Sequence, residues 1–214
     1  EWNAPLFISF IDFRKAFDSV HRDSLWKILR HYGLPEKIVA LIKVFYNRFE
    51  CNILLDNTIS EAFPVKSGVR QGCILSPILF IILVDWVMTK TTSDGARGIQ
   101  WTMFTHLEDL DFADDIALMS SLRAHIQEKS ERLNNYAKQK GLNINQKKTQ
   151  VMHINSPTPD PPLSVDGVTL EVVEDFTYLG SVISEDNGVK KDIQARLQKA
   201  RGAFCRLRPI WKSK

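Results

Sequence analysis

The stretch Leu110-Asp111-Phe112-Ala113-Asp114-Asp115-Ile116-Ala117-Leu118 restricts the folding of this chain more than any other. Leu110 and Phe112 alternate with a polar residue, and Ile116 and Leu118 alternate with Ala117, a period of two that belongs to strands. The pattern breaks at the acidic pair, so it predicts two short strands joined by a tight turn carrying Asp114 and Asp115. Successive side chains on an extended backbone point to opposite faces, but at a turn two carboxylates can lean to one side. Held beside an apolar hairpin, they repel each other unless a cation sits between them. Such a site suits Mg²⁺, a hard ion held by a few carboxylates together with substrate phosphate. A solvated Asp-rich turn fits the same residues, because Asp is a common turn residue.

A chain of 214 residues with 44% hydrophobic content can bury a core as one domain, or as one domain with an appendage. The longest apolar run, Ile78 to Val84, stops at Asp85 and is far shorter than the ~20 residues of a bilayer span. No segment has the form of a signal peptide, so the expectation is an intracellular protein without a membrane partner. Cys51, Cys73 and Cys205 are odd in number and scattered, which suits free thiols in a reducing compartment. With no Cys/His cluster at zinc spacing, His21, His31, His106, His125 and His153 read as ordinary surface or core residues.

The net charge of +3 hides an asymmetry. From Val189 to Lys214 there are nine Lys/Arg and one acid, Asp192, while the remainder carries 19 basic and 24 acidic residues. An acidic body with a basic tail points to a cation-binding centre beside an arm for polyanions. A solvated helix face is the plainer reading of the tail.

Taken in order, Leu6 to Ile11 reads as a buried strand ending at Asp12. After a turn over Phe13 to Val20, a helix from about Arg22 to Tyr32 takes its apolar face from Leu25, Ile28, Leu29 and Tyr32, with Gly33 at its C′ position. Pro35 opens a second helix expected to bury Ile38, Leu41, Ile42, Phe45 and Phe49. Ile53, Leu55 and Ile59 around Asp56-Asn57 predict a hairpin, and Ser67 to Ser76 a polar loop. Ser76-Pro77 caps an apolar helix to about Lys90. After Asp94-Gly95, strands around Trp101–Thr105 and Leu110–Met119 build the acidic hairpin. Ser121 to Lys140 reads as an amphipathic helix stopped by Gly141, and Thr149–Ile154 as a strand. Pro157, Pro159, Pro161 and Pro162 mark an extended connector. A hairpin at Asp166-Gly167, a strand Phe176–Ile183 and the basic helix complete the chain. The fold class is α+β, an antiparallel sheet with packed helices and a central acidic hairpin.

Asp12 ends a buried strand as the Asp114/Asp115 pair does. If those strands are neighbours, three carboxylates converge, which is the arrangement for two divalent ions about 3.5–4 Å apart in phosphoryl transfer. Spacing alone does not make them neighbours.

Over nearly its whole length the chain resembles the reverse transcriptase domain of non-LTR (LINE-like) retrotransposons. Phe10-Ile11-Asp12-Phe13-Arg14-Lys15-Ala16-Phe17-Asp18 is similar to the family's first catalytic motif. Val69-Arg70-Gln71-Gly72-Cys73-Ile74-Leu75-Ser76-Pro77 resembles the loop and helix beneath template–primer and incoming nucleotide. Phe112-Ala113-Asp114-Asp115 matches the (F/Y)-A-D-D signature. Gly141-Leu142-Asn143-Ile144-Asn145 with Lys148-Thr149 resembles the next motif, and Phe176-Thr177-Tyr178-Leu179-Gly180 the primer-grip hairpin. Each is weak alone; five in the right order are strong.

The resemblance implies a right-hand polymerase palm and an RNA-directed DNA polymerase acting on an RNA template, a DNA primer and dNTPs. Asp12, Asp114 and Asp115 would ligate two Mg²⁺ ions, with Mn²⁺ as a possible substitute and an oxygen from the Phe13 carbonyl. Phe17 takes the steric-gate position, where a ring collides with a ribose 2′-hydroxyl; a place in the core is compatible with that role. Gln71, Gly72 and Ala113 would lie against the nucleotide or template, and Gly72 reads equally as a turn glycine. Lys148 matches the lysine that protonates pyrophosphate, although Lys147 is its neighbour and both could be solvated. Asp18 is expected to support the turn, and Asp109 and Asp111 to be structural or exposed. Tyr178, Leu179 and Gly180 would face the primer, and Lys190, Lys191, Arg196, Lys199 and Arg201 the phosphates.

The expected division is 1–160 for palm with partial fingers, 161–188 for the end of the palm and the primer grip, and 189–214 for the start of the thumb. Most of the fingers and any endonuclease would lie elsewhere in a longer polyprotein. Nuclear action is what the family implies. An RNA-dependent RNA polymerase shares this chemistry, but Phe17 opposes it. A catalytically inactive, nucleic-acid-binding remnant is the other reading.

Overall fold

The apolar run at the start of the chain, β1 (Leu6–Ile11), becomes the middle strand of a five-stranded sheet. In a computed structural model that describes residues 4–93, 95, 97–156, 161–186 and 188–212, its partners are β2 (Asp109–Phe112), β3 (Asp115–Ser120), β4 (Gln150–Ile154) and β5 (Glu171–Val172). Asp94, Pro157 and Pro159 lie outside the described residues. The strand order is β5-β4-β1-β3-β2, antiparallel except for the β4–β5 pair. β1 is apolar at almost every position because both sheet faces are covered. Phe7 and Ile11 join Ile116, Leu118 and Val151 in the larger core, while Ile8 and Phe10 join Met119, Met152 and Ile154 in the smaller.

The larger core lies beneath helices α1 (Ala16–Ser19), α2 (Arg22–His31), α3 (Glu36–Tyr46), α4 (Leu75–Thr92) and α5 (Arg123–Gln139). α4 packs between α2 and α5 and buries Leu79, Phe80, Leu83, Val84, Val87 and Met88. It is long and apolar enough to cross a membrane, but its place among these helices accounts for that composition. The helix begins at Leu75, so Ser76 and Pro77 stand in its first turn rather than before it. The Ser76 hydroxyl faces the Tyr46 hydroxyl at 3.3 Å.

Four expectations need correction. Tyr32 is not on the buried face of α2 but caps its C-terminus, 43% exposed. α3 buries Val39, Ile42 and Tyr46, leaving Ile38, Leu41 and Phe45 exposed and Phe49 half-buried. Both stripes satisfy a helical period; ring contacts from Tyr46 to Trp26 and to the Arg22 guanidinium select the observed one. Trp101–Thr105 is not a strand but the loop between two-residue strands Ile99–Gln100 and His106–Leu107. There the Thr102 and Thr105 hydroxyls bond at 2.6 Å, and Thr102 Oγ1 also accepts the Thr105 N–H, a local pattern that competes with a ladder. Phe176–Ile183 is not one strand but a hairpin, β6 (Asp175–Tyr178) and β7 (Ser181–Ser184). Its turn, Leu179-Gly180, takes φ 48° and 86°, the two positive values of a type I′ turn. The hairpins at Asp56-Asn57 and Asp166-Gly167 turn where expected.

The β6–β7 hairpin covers the second face of the sheet, with Phe176 stacked on Phe10 at 3.8 Å. Helix α6 (Val189–Lys212) follows and is tied to this hairpin at its first turns. Lys191 pairs with Asp175, Asp192 accepts the Val182 N–H at 2.9 Å, and Arg196 donates to the Ser181 hydroxyl at 2.6 Å. Further along, Leu197, Phe204, Leu207 and Trp211 form an exposed apolar stripe.

Candidate active site

β1 and β3 are neighbours, and their last paired residues are Ile11 and Ile116. Asp12 and Asp115 therefore leave the ladder at the same end of the sheet. Ala113 and Asp114 form the turn between β2 and β3, closed by the Phe112–Asp115 pair, so Asp115 opens β3 instead of sharing the turn. Ala113 takes φ 59°, a left-handed conformation uncommon outside glycine. Asp114 and Asp115 are exposed and Asp12 is half-buried. Desolvation, then the charges of Asp114 and Asp12, raise the Asp115 carboxyl above its ordinary value, so each of the other two acids acts on it electrostatically. Among the described residues no three of His, Cys, Asp and Glu are drawn together closely enough to hold an ion as they stand.

Asp12 is braced by the segment that follows α5. Its carboxylate accepts a hydrogen bond from Asn145 Nδ2 at 3.2 Å, its carbonyl accepts the Asn145 N–H at 2.7 Å, and its own N–H donates to Thr149 Oγ1. Phe13 pairs with Ile144 in an isolated bridge closed by bonds from residues 12 and 14, which leaves the Phe13 carbonyl outside that pair. Gly141 makes the approach possible. It takes φ 90°, and a Cβ there would stand 2.3 Å from the Ser19 carbonyl. Lys147 and Lys148 are exposed on the turn just before Thr149.

The loop expected beneath the nucleotide lies along the segment after Asp12. The Val69 N–H donates to the Phe17 carbonyl at 2.7 Å and the Gly68 N–H to that of Val20 at 2.8 Å. Gln71 donates from Nε2 to Asp18 Oδ1 at 2.8 Å, which confirms Asp18 as a support of this turn and gives Gln71 a partner inside the chain. Gly72 takes φ 78° with open space around it, as a turn glycine does. The Phe17 ring is half-buried and stacked on Phe80 at 4.5 Å.

The reverse transcriptase (RNA-dependent DNA polymerase) family model matches residues 3–183, a range that holds all three acids and both loops. This chain belongs to the reverse transcriptase family. Among its relatives are retrotransposon polymerases of the non-LTR class. It is 26% identical over 190 residues to a Retrovirus-related Pol polyprotein from type-1 retrotransposable element R2 of Popillia japonica, covering 85% of this chain and 31% of that protein. It is 24% identical over 174 residues to the RNA-directed DNA polymerase from mobile element jockey of Drosophila melanogaster, covering 80% and 19%. The chain thus spans less than a third of the length of these relatives. Apo telomerase from Candida tropicalis, truncated from its C-terminal domain, has the same right-hand polymerase fold, with a TM-score of 0.61, 17% identity, and 86% of this chain and 35% of that one covered.

In this reverse transcriptase domain, Tyr178 is near the acids: its hydroxyl lies 3.0 Å from the Leu110 carbonyl and 3.1 Å from that of Asp115. Desolvation, followed by the charges of Asp115, Asp111 and Asp109, pushes that hydroxyl up to about 12, so it keeps its proton. Leu179 and Gly180 are exposed at the hairpin tip. Of the α6 cations, Lys191 and Arg196 are engaged with Asp175 and Asp192, while Lys190, Lys199 and Arg201 face outward.

Four supporting residues were not singled out from the sequence. Asn145 and Thr149 lie inside a recognised motif, but only the fold brings them to Asp12. Arg22 donates to the carbonyls of Gly68, Val65 and Ser67 and so holds the start of the loop that carries Gln71 and Gly72. Lys129, buried at 2% exposure, bonds the carbonyls of Glu108 and Met119 and pairs with the Glu108 carboxylate behind the acidic hairpin. A Ser-Gly pair at 67–68 was the available signal for the loop; a lone lysine on an amphipathic helix carries none.

Proposed function

We propose that this domain is the polymerase palm of a non-LTR retroelement, extending a DNA primer on an RNA template with dNTPs. The observation that carries the reading is the placement of Asp12, Asp114 and Asp115 at the same end of neighbouring strands, with Asp115 feeling both other charges. The three carboxylates would hold two divalent ions, Mg²⁺ with Mn²⁺ as a substitute, and the Phe13 carbonyl adds an oxygen. Their oxygen donors and mutual repulsion suit such ions. When bound, the ions activate the primer 3′-hydroxyl and neutralise the departing pyrophosphate.

The chain's own side chains supply the rest. Asn145 and Thr149 hold Asp12 in place. Phe17, stiffened by its stack on Phe80, excludes a ribose 2′-hydroxyl. Gln71, Gly72 and Ala113 line the nucleotide and template side, and Lys148 delivers a proton to pyrophosphate. Leu179 and Gly180 face the primer, and Lys190, Lys199 and Arg201 the phosphates. Residues 1–160 are palm with partial fingers, 161–188 the end of the palm with the primer grip, and 189–214 the start of the thumb. Other domains of a longer polyprotein complete the machine, which acts in the nucleus. A nucleic-acid-binding remnant without catalysis is the second reading, favoured only by the exposed basic face of α6.

Single-nucleotide incorporation on an RNA template tests the polymerase reading. The wild type should add the dNTP and reject the matching rNTP, and Phe17→Ala should raise rNTP use at least about tenfold. No dNTP incorporation would overturn the reading, and an unchanged rNTP preference in Phe17→Ala would remove the gate.

A further inference from the structure

Tyr178 adjoins the Leu179-Gly180 tip, yet its hydroxyl is turned toward the acidic hairpin. Its two acceptors lie one on each strand, the Leu110 carbonyl on β2 and the Asp115 carbonyl on β3. Leu110 and Asp115 immediately precede Asp111 and Ile116, which face each other in the ladder, so the hydroxyl sits over that pair and bridges the strands. β2 is otherwise held by its ladder with β3 and, at its start, by Lys129 on the Glu108 carbonyl, with no strand on its outer side among the described residues. It is a four-residue edge strand, and Leu110 and Phe112 are 44% and 67% exposed. Asp115 lies one residue beyond Ile116, where β3 last pairs with β1. Tyr178, by contrast, comes from a fixed base. Phe176 is stacked on Phe10, and the far end of the same hairpin is tied to α6 through Asp175 and Lys191.

We infer that the Tyr178 hydroxyl is a positioning group that fixes the Asp115 end of the acidic hairpin, rather than a contact to nucleic acid. The hairpin that faces the primer and the hairpin that carries the acids then move as one body. Its importance for the reaction rests on the reading of Asp115 as a site carboxylate; the clamp itself does not.

Tyr178→Phe removes the hydroxyl and keeps the ring near Phe10. Hydrogen exchange in the full chain without metal should be about fivefold faster in peptides covering 109–118, and unchanged in β4 and α5. Equal exchange in 109–118 would overturn the clamp whether or not the chain polymerises. In primer extension, kcat should fall about fivefold with KM for primer–template unchanged. A raised KM with kcat intact would make Tyr178 a nucleic-acid contact and overturn the inference. If the wild type extends no primer, it is the proposed function that fails, and the exchange comparison still decides the clamp.

Discussion

Asp109 shows how closely the acids of the β2 strand are balanced. Desolvation, followed by the charge of Asp111, pushes its carboxyl up to about 6 from an ordinary 3.8, against the opposing pull of Lys129. Between those values the folded chain holds a proton that the unfolded chain has released, so stability falls as pH rises through that window and stays lower above it. Asp109→Asn has no charge to bury. It should be more stable than the wild type at pH 8 by about 2 kcal/mol, allowing for partial solvent screening. The gap should close as pH is lowered toward 4; urea unfolding at both pH values would show a constant gap if the account is wrong. At this scale the sequence was most legible where chemistry repeats a pattern. Asp12, Asp114 and Asp115 stood out as candidates because acids that end apolar strand runs break the pattern, and the fold does place them at one end of neighbouring strands. Asn145 was not assigned a role, because an amide's partner depends on which strand the fold lays beside it.

Elements were legible where period and turn chemistry agreed, as at Asp56-Asn57 and Asp166-Gly167, and failed where two solutions fitted equally. α3 has two apolar stripes, and only the ring of Tyr46 against Trp26 and Arg22 selects between them. The Trp101–Thr105 stretch carries strand-forming residues, but the Thr102 hydroxyl bonds its neighbours and wins. The loop beside Phe17 yields a sharper contrast. Gly68 and Gly72 both take positive φ, but a Cβ on Gly68 would stand 2.7 Å from the Asp18 backbone while Gly72 faces open space. Gly72→Ala should cost about 1 kcal/mol, the strain of the left-handed conformation alone. Gly68→Ala should cost about 3 kcal/mol or more, since backbone must also move. Thermal unfolding of the two variants decides this, and equal costs would contradict it. Behind the acidic hairpin, Lys129→Met leaves the Glu108 carboxylate without its cation and should cost about 3 kcal/mol in the same assay.

For the whole molecule, charge separates the roles. Lys190, Lys199 and Arg201 face outward from α6, whereas Lys191 and Arg196 are engaged in holding α6 to the β6–β7 hairpin. Primer–template affinity should fall linearly with the logarithm of salt concentration. Replacing Lys190, Lys199 or Arg201 by Gln should reduce that slope by about one each, and Lys191→Gln by less. Equal changes across all four would contradict the division. The architecture as a whole was legible because five motifs in order define a palm, although strand adjacency, on which the acid cluster depends, came only from the fold. That cluster is tested most directly by extension of a DNA primer on an RNA template with Mg²⁺ and dNTPs, comparing the wild type with Asp114→Asn. Extension by the wild type that is lost in the variant is the predicted result; equal extension by both would contradict the site, and extension by neither would contradict a working palm in this chain.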